Sequence, residues 1–306
     1  MEITKKHSLA LLLDPEKANL DALPITADCH PDYIFVGGST GGDTTEFVRA
    51  LRNKLPITNN QLPIVLFPGN SSQFTPEADA VLFLSLLSGN NPEFLVNQQI
   101  KSARTIHDSH MDFVPTAYVL IDGGVETSTM RVTQTKPLDP TDIDAIVNIA
   151  MAAELMGKKA IYLEAGSGAK APVSPEIIKA VRANTSITLI VGGGIRTPEA
   201  MHTAYKAGAD IVVIGNHFES HPEELSKFIS HTSQVINSDD ERYMRLALCE
   251  AEKALAQDEI PIGCVIVSQN QIIGRGHNLT ETLADVTAHA EMQALPAAAQ
   301  AVGGKD

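Results

Sequence analysis

Ile161-Tyr-Leu-Glu-Ala-Gly-Ser-Gly168, read with Val191-Gly-Gly-Gly-Ile195 and Ile214-Gly-Asn216, decides the fold. Each stretch begins as an apolar, β-branched run and breaks into glycine or a small polar residue. Helix-start signals follow: Ser174-Pro175-Glu176, Thr197-Pro198-Glu199 and, after Asn216, His221-Pro222-Glu223. A Ser or Thr cap with Pro at the first helical position satisfies orphan amides and pre-sets φ. Strand, glycine loop and helix recurring at intervals of roughly 25 residues predict a parallel sheet covered by helices. The glycines fall at the carboxyl ends of the strands, where such folds place their ligands. Backbone N–H groups can approach an anion closely there, and a helix N-terminus adds a favourable dipole. The three stretches therefore predict a phosphate cradle.

Working outward, the same unit recurs towards the N-terminus. Ser8–Leu13 is a continuous apolar run, as in a strand buried on both faces, and Asp14-Pro15-Glu16-Lys17 reads as a helix start. Tyr33–Val36 ends in Gly37-Gly38-Ser39-Thr40-Gly41-Gly42, ahead of a helix over about 43–54. Pro63–Phe67 and Ala80–Leu84 are strands separated by a Pro-, Asn-, Ser- and Gly-rich segment too short for a full helix. A helix over about 92–108 leads to a strand, Phe113–Ile121. Gly123-Gly124 opens a polar loop to Pro140, and Thr141 caps a helix with apolar residues at helical spacing that Gly157 ends. Eight strands over about 235 residues predict a (β/α)8 TIM-like barrel with a curtailed third helix; a doubly wound open sheet is the competitor, but eight consecutive units favour closure.

After Ile236 the pattern changes. Ser238-Asp239-Asp240-Glu241 reads as an acidic helix start, with the helix reaching about Gln257. Ile260–Val267 and Gln271–Gly276 predict a hairpin around Ser268-Gln269-Asn270, and Thr287–Ala294 opens a last helix. The domains expected are 1–236 and 237–306.

The chain has 306 residues and a formal net charge of -14, which argues against a diffuse nucleic-acid surface. Its three cysteines, Cys29, Cys249 and Cys264, form no C-x-x-C pair and suggest a reducing compartment. The apolar run after Lys5 and Lys6 is short for a signal peptide, and no run approaches a membrane span, so a cytoplasmic location is expected. His107, His110, His202 and His217 have no metal-ligand spacing.

Taken together, Leu13-Asp14-Pro15, Val36-Gly37-Gly38-Ser39, Tyr162–Gly168, Gly192-Gly193-Gly194-Ile195 and Gly215-Asn216 resemble the geranylgeranylglyceryl phosphate synthase family, which includes heptaprenylglyceryl phosphate synthases. The resemblance covers about residues 5–235. It implies Mg2+-dependent transfer of a long prenyl group from its diphosphate to the 3-hydroxyl of sn-glycerol 1-phosphate, giving an ether lipid precursor. In that light Asp14 and Ser39 are hard oxygen ligands suited to Mg2+, with Thr40 offering the same chemistry as Ser39. Tyr162, Leu163, Glu164, Ala165, Gly166, Ser167 and Gly168, with Gly193, Gly194, Gly215 and Asn216, would hold the glycerol phosphate. Glu164 would orient the attacking hydroxyl and take its proton, with Tyr162 on the same strand face.

Each residue also has a structural reading: Asp14 as a helix cap, Glu164 in an ion pair, Tyr162 in packing. Some bacterial family members carry a phosphate-contacting Lys where this chain has Leu12, and Lys170 and Arg196 are the candidate replacements. Phe83, Leu84, Leu86, Leu87 and Phe94 could line a prenyl groove. The resemblance also leads us to expect a homo-oligomer and, through the apolar donor, peripheral membrane contact.

Residues 239–305 resemble the first part of a tRNA adenosine deaminase, through Asp258–Gly263, Gly276-His277-Asn278 and His289-Ala290-Glu291. That family uses the histidine as a zinc ligand and the glutamate as proton shuttle, in the signature H-x-E…P-C-x-x-C. No P-C-x-x-C follows here, so His289 and Glu291 are expected to be vestigial, with no zinc and an uncovered sheet edge. The competing readings are another phosphate-binding barrel enzyme, a tRNA adenosine deaminase, and a non-catalytic binding protein.

Overall fold

The apolar run at Ser8–Leu13 forms β1, and it is followed by β2 (Tyr33–Val36), β3 (Ile64–Leu66), β4 (Ala80–Leu86), β5 (Asp112–Leu120), β6 (Ala160–Glu164), β7 (Thr188–Gly192) and β8 (Ile211–Ile214). In this computed structural model all eight pair in parallel and in sequence order. Leu11 lies opposite Ile34 of β2 on one side and Ile214 of β8 on the other, so the sheet closes on itself. The structure describes residues 7–23, 25–26, 30–55, 62–215, 218, 221, 224–268 and 271–303. It divides into two compact units, Met1–Thr232 and Ser233–Asp306.

Closure gives every strand an inner and an outer face. Phe35, Leu82, Tyr118, Tyr162, Ile190 and Val213 point inward and pack on one another. Their neighbours Ile34, Val81, Val119, Leu163, Val191 and Val212 point outward beneath the helices. Fully buried strands therefore read as unbroken apolar runs, while the period of two still decides which side chains meet inside.

The helices are α1 (Thr45–Lys54), α2 (Gln98–Ser109), α3 (Ser128–Thr133), α4 (Ile143–Leu155), α5 (Pro175–Asn184), α6 (Pro198–Ala207) and α7 (Leu225–Leu255). Ser174 and Thr197 cap α5 and α6 as expected, their side chains accepting from Ile177 N–H and Ala200 N–H. Gly157, at φ +80°, closes α4. Between β3 and β4 there is only a 3-10 turn, Ser71–Gln73, in place of a third helix.

Several expectations are corrected. The segment after Asp14 is a turn, with Lys17 and Ala18 N–H groups both donating to the Asp14 carbonyl, followed only by a 3-10 turn, Leu20–Ala22. Asn19 accepts from Asp21 N–H and holds that shorter turn, and the segment lacks an apolar stripe at helical spacing. The helix expected from Thr141 starts after Asp142, whose carboxylate caps it, because Thr141 is bonded to Asp139. The polar loop after Gly124 contains α3, capped by Thr127. Finally, α7 runs through Ser238 without a break, since Ser, Asp and Glu are tolerated inside a helix when no Pro or Gly interrupts it.

In the second unit, β9 (Gly263–Ser268) and β10 (Gln271–His277) pair antiparallel, with Gln269 and Asn270 of the expected turn outside the described residues. The last helix, α8 (Ala290–Ala301), starts after His289 rather than at Thr287. A Cβ on Gly274 or Gly276 would lie 2.5 or 2.4 Å from an α8 carbonyl oxygen, so these glycines let helix and hairpin approach. Glu259 is buried and accepts N–H bonds from Glu281 and Thr282. Among the described residues β9 has no partner on its other edge.

One device recurs where strands enter the barrel. Asp32, Asp79 and Asp210 stand just before β2, β4 and β8. Each donates its N–H to the carbonyl of a residue on the preceding strand, respectively Leu9, Ile64 and Leu189. Each carboxylate then accepts that same residue's N–H, at 2.9, 2.8 and 2.8 Å. Asp210 also holds Arg182 at 2.9 Å, and Arg182 in turn donates to the carbonyls of Thr185 and Ile187. Asp210→Ala strands the Leu189 N–H and the Arg182 guanidinium, which should cost about 2 kcal/mol and lower Tm by roughly 5 °C in a unit of this size. An unchanged melting curve would show that this staple carries no stability.

Candidate active site

Two pockets are lined from the carboxyl ends of the strands, and the one carboxyl that belongs to both is Glu164. The one lined by more of the chain, and larger in that sense alone, holds Asp14, Ser39 and Thr40 at one part of its wall and Phe83, Leu84 and Phe94 at another. The smaller one is ringed by Gly168, Gly193, Gly194 and Gly215, with Tyr162 and Arg196. Leu12 and Ser167 also line both.

Glu164 ends β6 on its inward face and is 6% exposed. Its Oε1 accepts the Gly166 N–H at 2.7 Å. Burial pushes its carboxyl up to about 7, against the opposing pull of the Tyr162 hydroxyl and the Gly166 N–H, which favour the charged form. The Tyr162 hydroxyl is itself fully buried; it lies close enough to Glu164 to favour the charged form, but among the described residues it completes no hydrogen bond of good geometry. Its ring stacks on Tyr118, with centroids 5.4 Å apart and planes 5° apart. Burial, and then the Glu164 charge, hold both phenols well above their usual range. At neutral pH both rings are therefore neutral hydroxyl donors.

The glycines make room for this pair. A Cβ on Gly192 would lie 2.2 Å from the Tyr162 hydroxyl, and one on Gly193 2.4 Å from Glu164 Oε1. Gly193 and Gly194 also take φ of +81° and +72°, which disfavours any side chain there. The capped start of α6 follows the triple glycine directly, so the smaller pocket has the backbone and dipole features of an anion site.

Asp14 lies in a different environment. Oδ1 accepts the Glu16 N–H at 3.1 Å, and Oδ2 pairs with Lys17 Nζ at 2.5 Å. The carboxylate rests against Gly38, where a Cβ would come within 3.0 Å of it. Ser39 Oγ stands 3.4 Å from Thr129 Oγ1, whereas the Thr40 hydroxyl donates to Glu16 at 3.0 Å. Of the two adjacent hydroxyls, Thr40 is thus engaged by a carboxylate. Among the described residues no three His, Cys, Asp or Glu side chains converge as a metal cage.

The structure thus brings together Asp14, Ser39, Glu164 and Ser167 in the larger pocket, and Tyr162, Gly168, Gly193, Gly194 and Gly215 beside them. Leu163 and Ala165 face outward into the helix-covered layer, as strand alternation requires, and the Gly166 N–H is committed to Glu164. Asn216 lies outside the described residues, as does His217. Arg196 lines the smaller pocket and donates to the Ala169 carbonyl at 2.6 Å; Lys170 lines neither pocket. Phe83, Leu84, Leu86 and Phe94 line the larger pocket, while Leu87 packs on the outer layer. None of His107, His110 and His202 lines either pocket.

Sequence reasoning missed Lys17, Phe67, Tyr118 and the α3 residues Ser128, Thr129, Val132 and Thr133, all in the larger pocket. The length of the loop after β5, at the ligand-binding end of a barrel strand, was the available signal for α3. In the second unit Cys264 is half-buried, its thiol pushed up by burial and by the Glu291 charge, and Cys249 is exposed.

Comparison with known proteins gives a consistent assignment. The model of the PcrB family matches residues 1–233, and that of the cytidine and deoxycytidylate deaminase zinc-binding region matches residues 237–306. A geranylgeranylglyceryl phosphate synthase from Zunongwangia profunda is 44% identical over 218 residues, covering 70% of this chain and 92% of the relative. Its counterpart from Flavobacterium johnsoniae is 45% identical over 218 residues, covering 69% and 88%. The crystal structure of (S)-3-O-geranylgeranylglyceryl phosphate synthase from Thermoplasma acidophilum, in complex with its substrate sn-glycerol-1-phosphate, superposes with a TM-score of 0.67 at 32% identity. It covers 76% of this chain and 94% of that one. The chain belongs to the PcrB family: its barrel is a prenyltransferase of the geranylgeranylglyceryl phosphate synthase kind, joined to a segment of the deaminase zinc-binding region.

Proposed function

We propose that the barrel transfers a long prenyl group from its diphosphate to the 3-hydroxyl of sn-glycerol 1-phosphate, with Mg2+ as cofactor. The single observation carrying this reading is Glu164, one buried carboxyl lining both an apolar groove with hard oxygen donors and a glycine-ringed anion pocket. The relatives' activity and the sn-glycerol-1-phosphate of the Thermoplasma complex support prenyl transfer to a glycerol phosphate.

The donor's apolar chain would lie along Leu84, Leu86 and Phe94, and its diphosphate beside Asp14 and Ser39. Those two residues fit Mg2+, which takes one carboxylate and a hydroxyl readily when phosphate oxygens and water complete its shell. Bound there, the ion would neutralise charge on the departing diphosphate. The acceptor's phosphate would sit on the backbone of Gly193, Gly194 and Gly215, with Arg196 supplying the cation that Leu12 does not. Its 3-hydroxyl oxygen bonds to the prenyl C1, the C1–O bond to the diphosphate breaks with its electron pair, and the hydroxyl proton passes to Glu164. The orphaned Tyr162 hydroxyl orients the acceptor by a hydrogen bond.

The exposed apolar side chains of Leu155 and Met156, at the end of α4, support self-association of the barrel. Among the described residues no helix is long and apolar enough to cross a membrane. The deaminase-like segment is proposed to have no deaminase activity, because His289 is joined by no P-C-x-x-C thiolates within these residues.

Two outcomes follow from the Glu164 environment. Because its folded-state carboxyl titrates near 7, the base is available only above that pH, and kcat/KM should rise with pH and level off above about 7. Between its ordinary value and 7 the unfolded chain ionises this carboxyl while the folded barrel keeps it protonated, so folding stability falls with pH across that window and stays lowered above it. Glu164→Gln should therefore lower kcat at least a hundredfold yet melt a few degrees above the wild type at pH 8, roughly. Retained turnover, or an unchanged profile below pH 7, would remove Glu164 from proton transfer. For the second unit, metal analysis of the full chain purified with zinc should find well under one equivalent. Stoichiometric zinc, with conversion of adenosine in tRNA, would contradict the inactive reading.

A further inference from the structure

Lys17 is the one Lys or Arg among the described residues that lines the larger pocket, whose acidic members are Asp14 and Glu164. Its ammonium sits 2.5 Å from Asp14 Oδ2, three residues back along the same turn. The partners differ in exposure: the Asp14 side chain is 13% exposed and accepts the Glu16 N–H, whereas the Lys17 side chain is 54% exposed. A lysine ammonium is a point charge on a four-carbon stem that can move between anions without a fixed fork geometry.

We propose that Lys17 holds the Asp14 carboxylate in the resting barrel and moves its ammonium onto the donor's diphosphate when metal and donor arrive, making it the protein cation of the leaving group. The inference rests on the donor site proposed above. Two constraints carry it. An oxygen paired with an ammonium is a poor metal ligand, so the Lys17–Asp14 pair and cation binding compete for Asp14 Oδ2. A departing diphosphate is a polyanion, and in a pocket that otherwise presents two carboxylates it needs a charge-assisted hydrogen bond from the protein. Among the described residues Lys17 alone supplies one from a lysine or arginine that lines this pocket, and it is already tethered at the metal-ligand turn.

The competition gives effects of opposite sign on two ligands, measurable without turnover. In the full chain, Mn2+ binding without any phosphate is followed by the free-ion resonance signal, and inorganic pyrophosphate binding at fixed Mg2+ by calorimetry. Lys17→Met should bind Mn2+ several-fold more tightly and pyrophosphate about tenfold more weakly, the loss of one charge-assisted hydrogen bond. Lys17→Arg should keep most of the pyrophosphate affinity. Unchanged pyrophosphate binding in Lys17→Met would overturn the proposal, and so would weaker Mn2+ binding, which would make Lys17 a fixed support of Asp14. If Lys17→Met does not fold, judged by its melting curve, Lys17→Gln gives the same reading. Asp14→Asn separates the two levels. Should the wild type bind Mn2+ no better than Asp14→Asn, the metal assignment itself fails, and the Lys17 inference with it.

Discussion

Closing eight parallel strands into a barrel makes the period of two along each strand a hard constraint, and the chemistry depends on it. Leu163 must go outward to be covered by helices, so Tyr162 and Glu164 must go inward. At the end of β6 Glu164 is 6% exposed, and its carboxyl lies between two pockets. Desolvation there acts on a group that only the Gly166 N–H and the Tyr162 hydroxyl counter, and its protonation state becomes sensitive to neutral pH. Such a carboxyl is costly for folding and useful for moving a proton.

The two acids of the site illustrate how environment divides labour between identical functional groups. Asp14 lies on a turn after β1, with a backbone N–H on one oxygen and an ammonium on the other. Both of its oxygens thus meet donors at the mouth of the pocket. Glu164 is buried beside a phenol and apolar rings, the surroundings that the proposed base would need to work near neutrality. Gly192 and Gly193 serve the same arrangement from the next strand, since a methyl group on either would occupy the space of the phenol or the carboxylate. The glycine run thus leaves room for Tyr162 and Glu164 as much as it lines the second pocket.

Much of this was legible in the sequence because it depends on local signals. Buried parallel strands announce themselves as apolar runs, Ser174 and Thr197 announce helix starts, and the placement of Glu164 follows from counting along β6. The illegible parts come from tertiary context. Nothing in Asp14-Pro15-Glu16-Lys17 says that its turn stops short of a helix, or that the lysine folds back on the aspartate. The Ser238 helix start is a sound local pattern that a longer helix simply absorbs. Whether Arg196 or Lys170 reaches the anion pocket depends on loop paths that neither propensity nor spacing encodes. The pairing of Asp32, Asp79 and Asp210 with the strands before them is invisible for the same reason, being a matter of register.

In the deaminase-like segment His289 and Glu291 keep their spacing just before and at the start of α8, and within residues 237–306 no P-C-x-x-C follows them. The account therefore places the activity in the barrel, with one carboxyl serving a prenyl donor on one side and a chiral glycerol phosphate on the other. The most direct measurement is product formation by the full chain with Mg2+ and a mixed set of prenyl diphosphates, comparing sn-glycerol 1-phosphate with its 3-phosphate enantiomer. The account predicts an ether product from the 1-phosphate alone, because the glycine-held phosphate fixes which hydroxyl faces Glu164. Product from neither acceptor, or equal product from both, would contradict it.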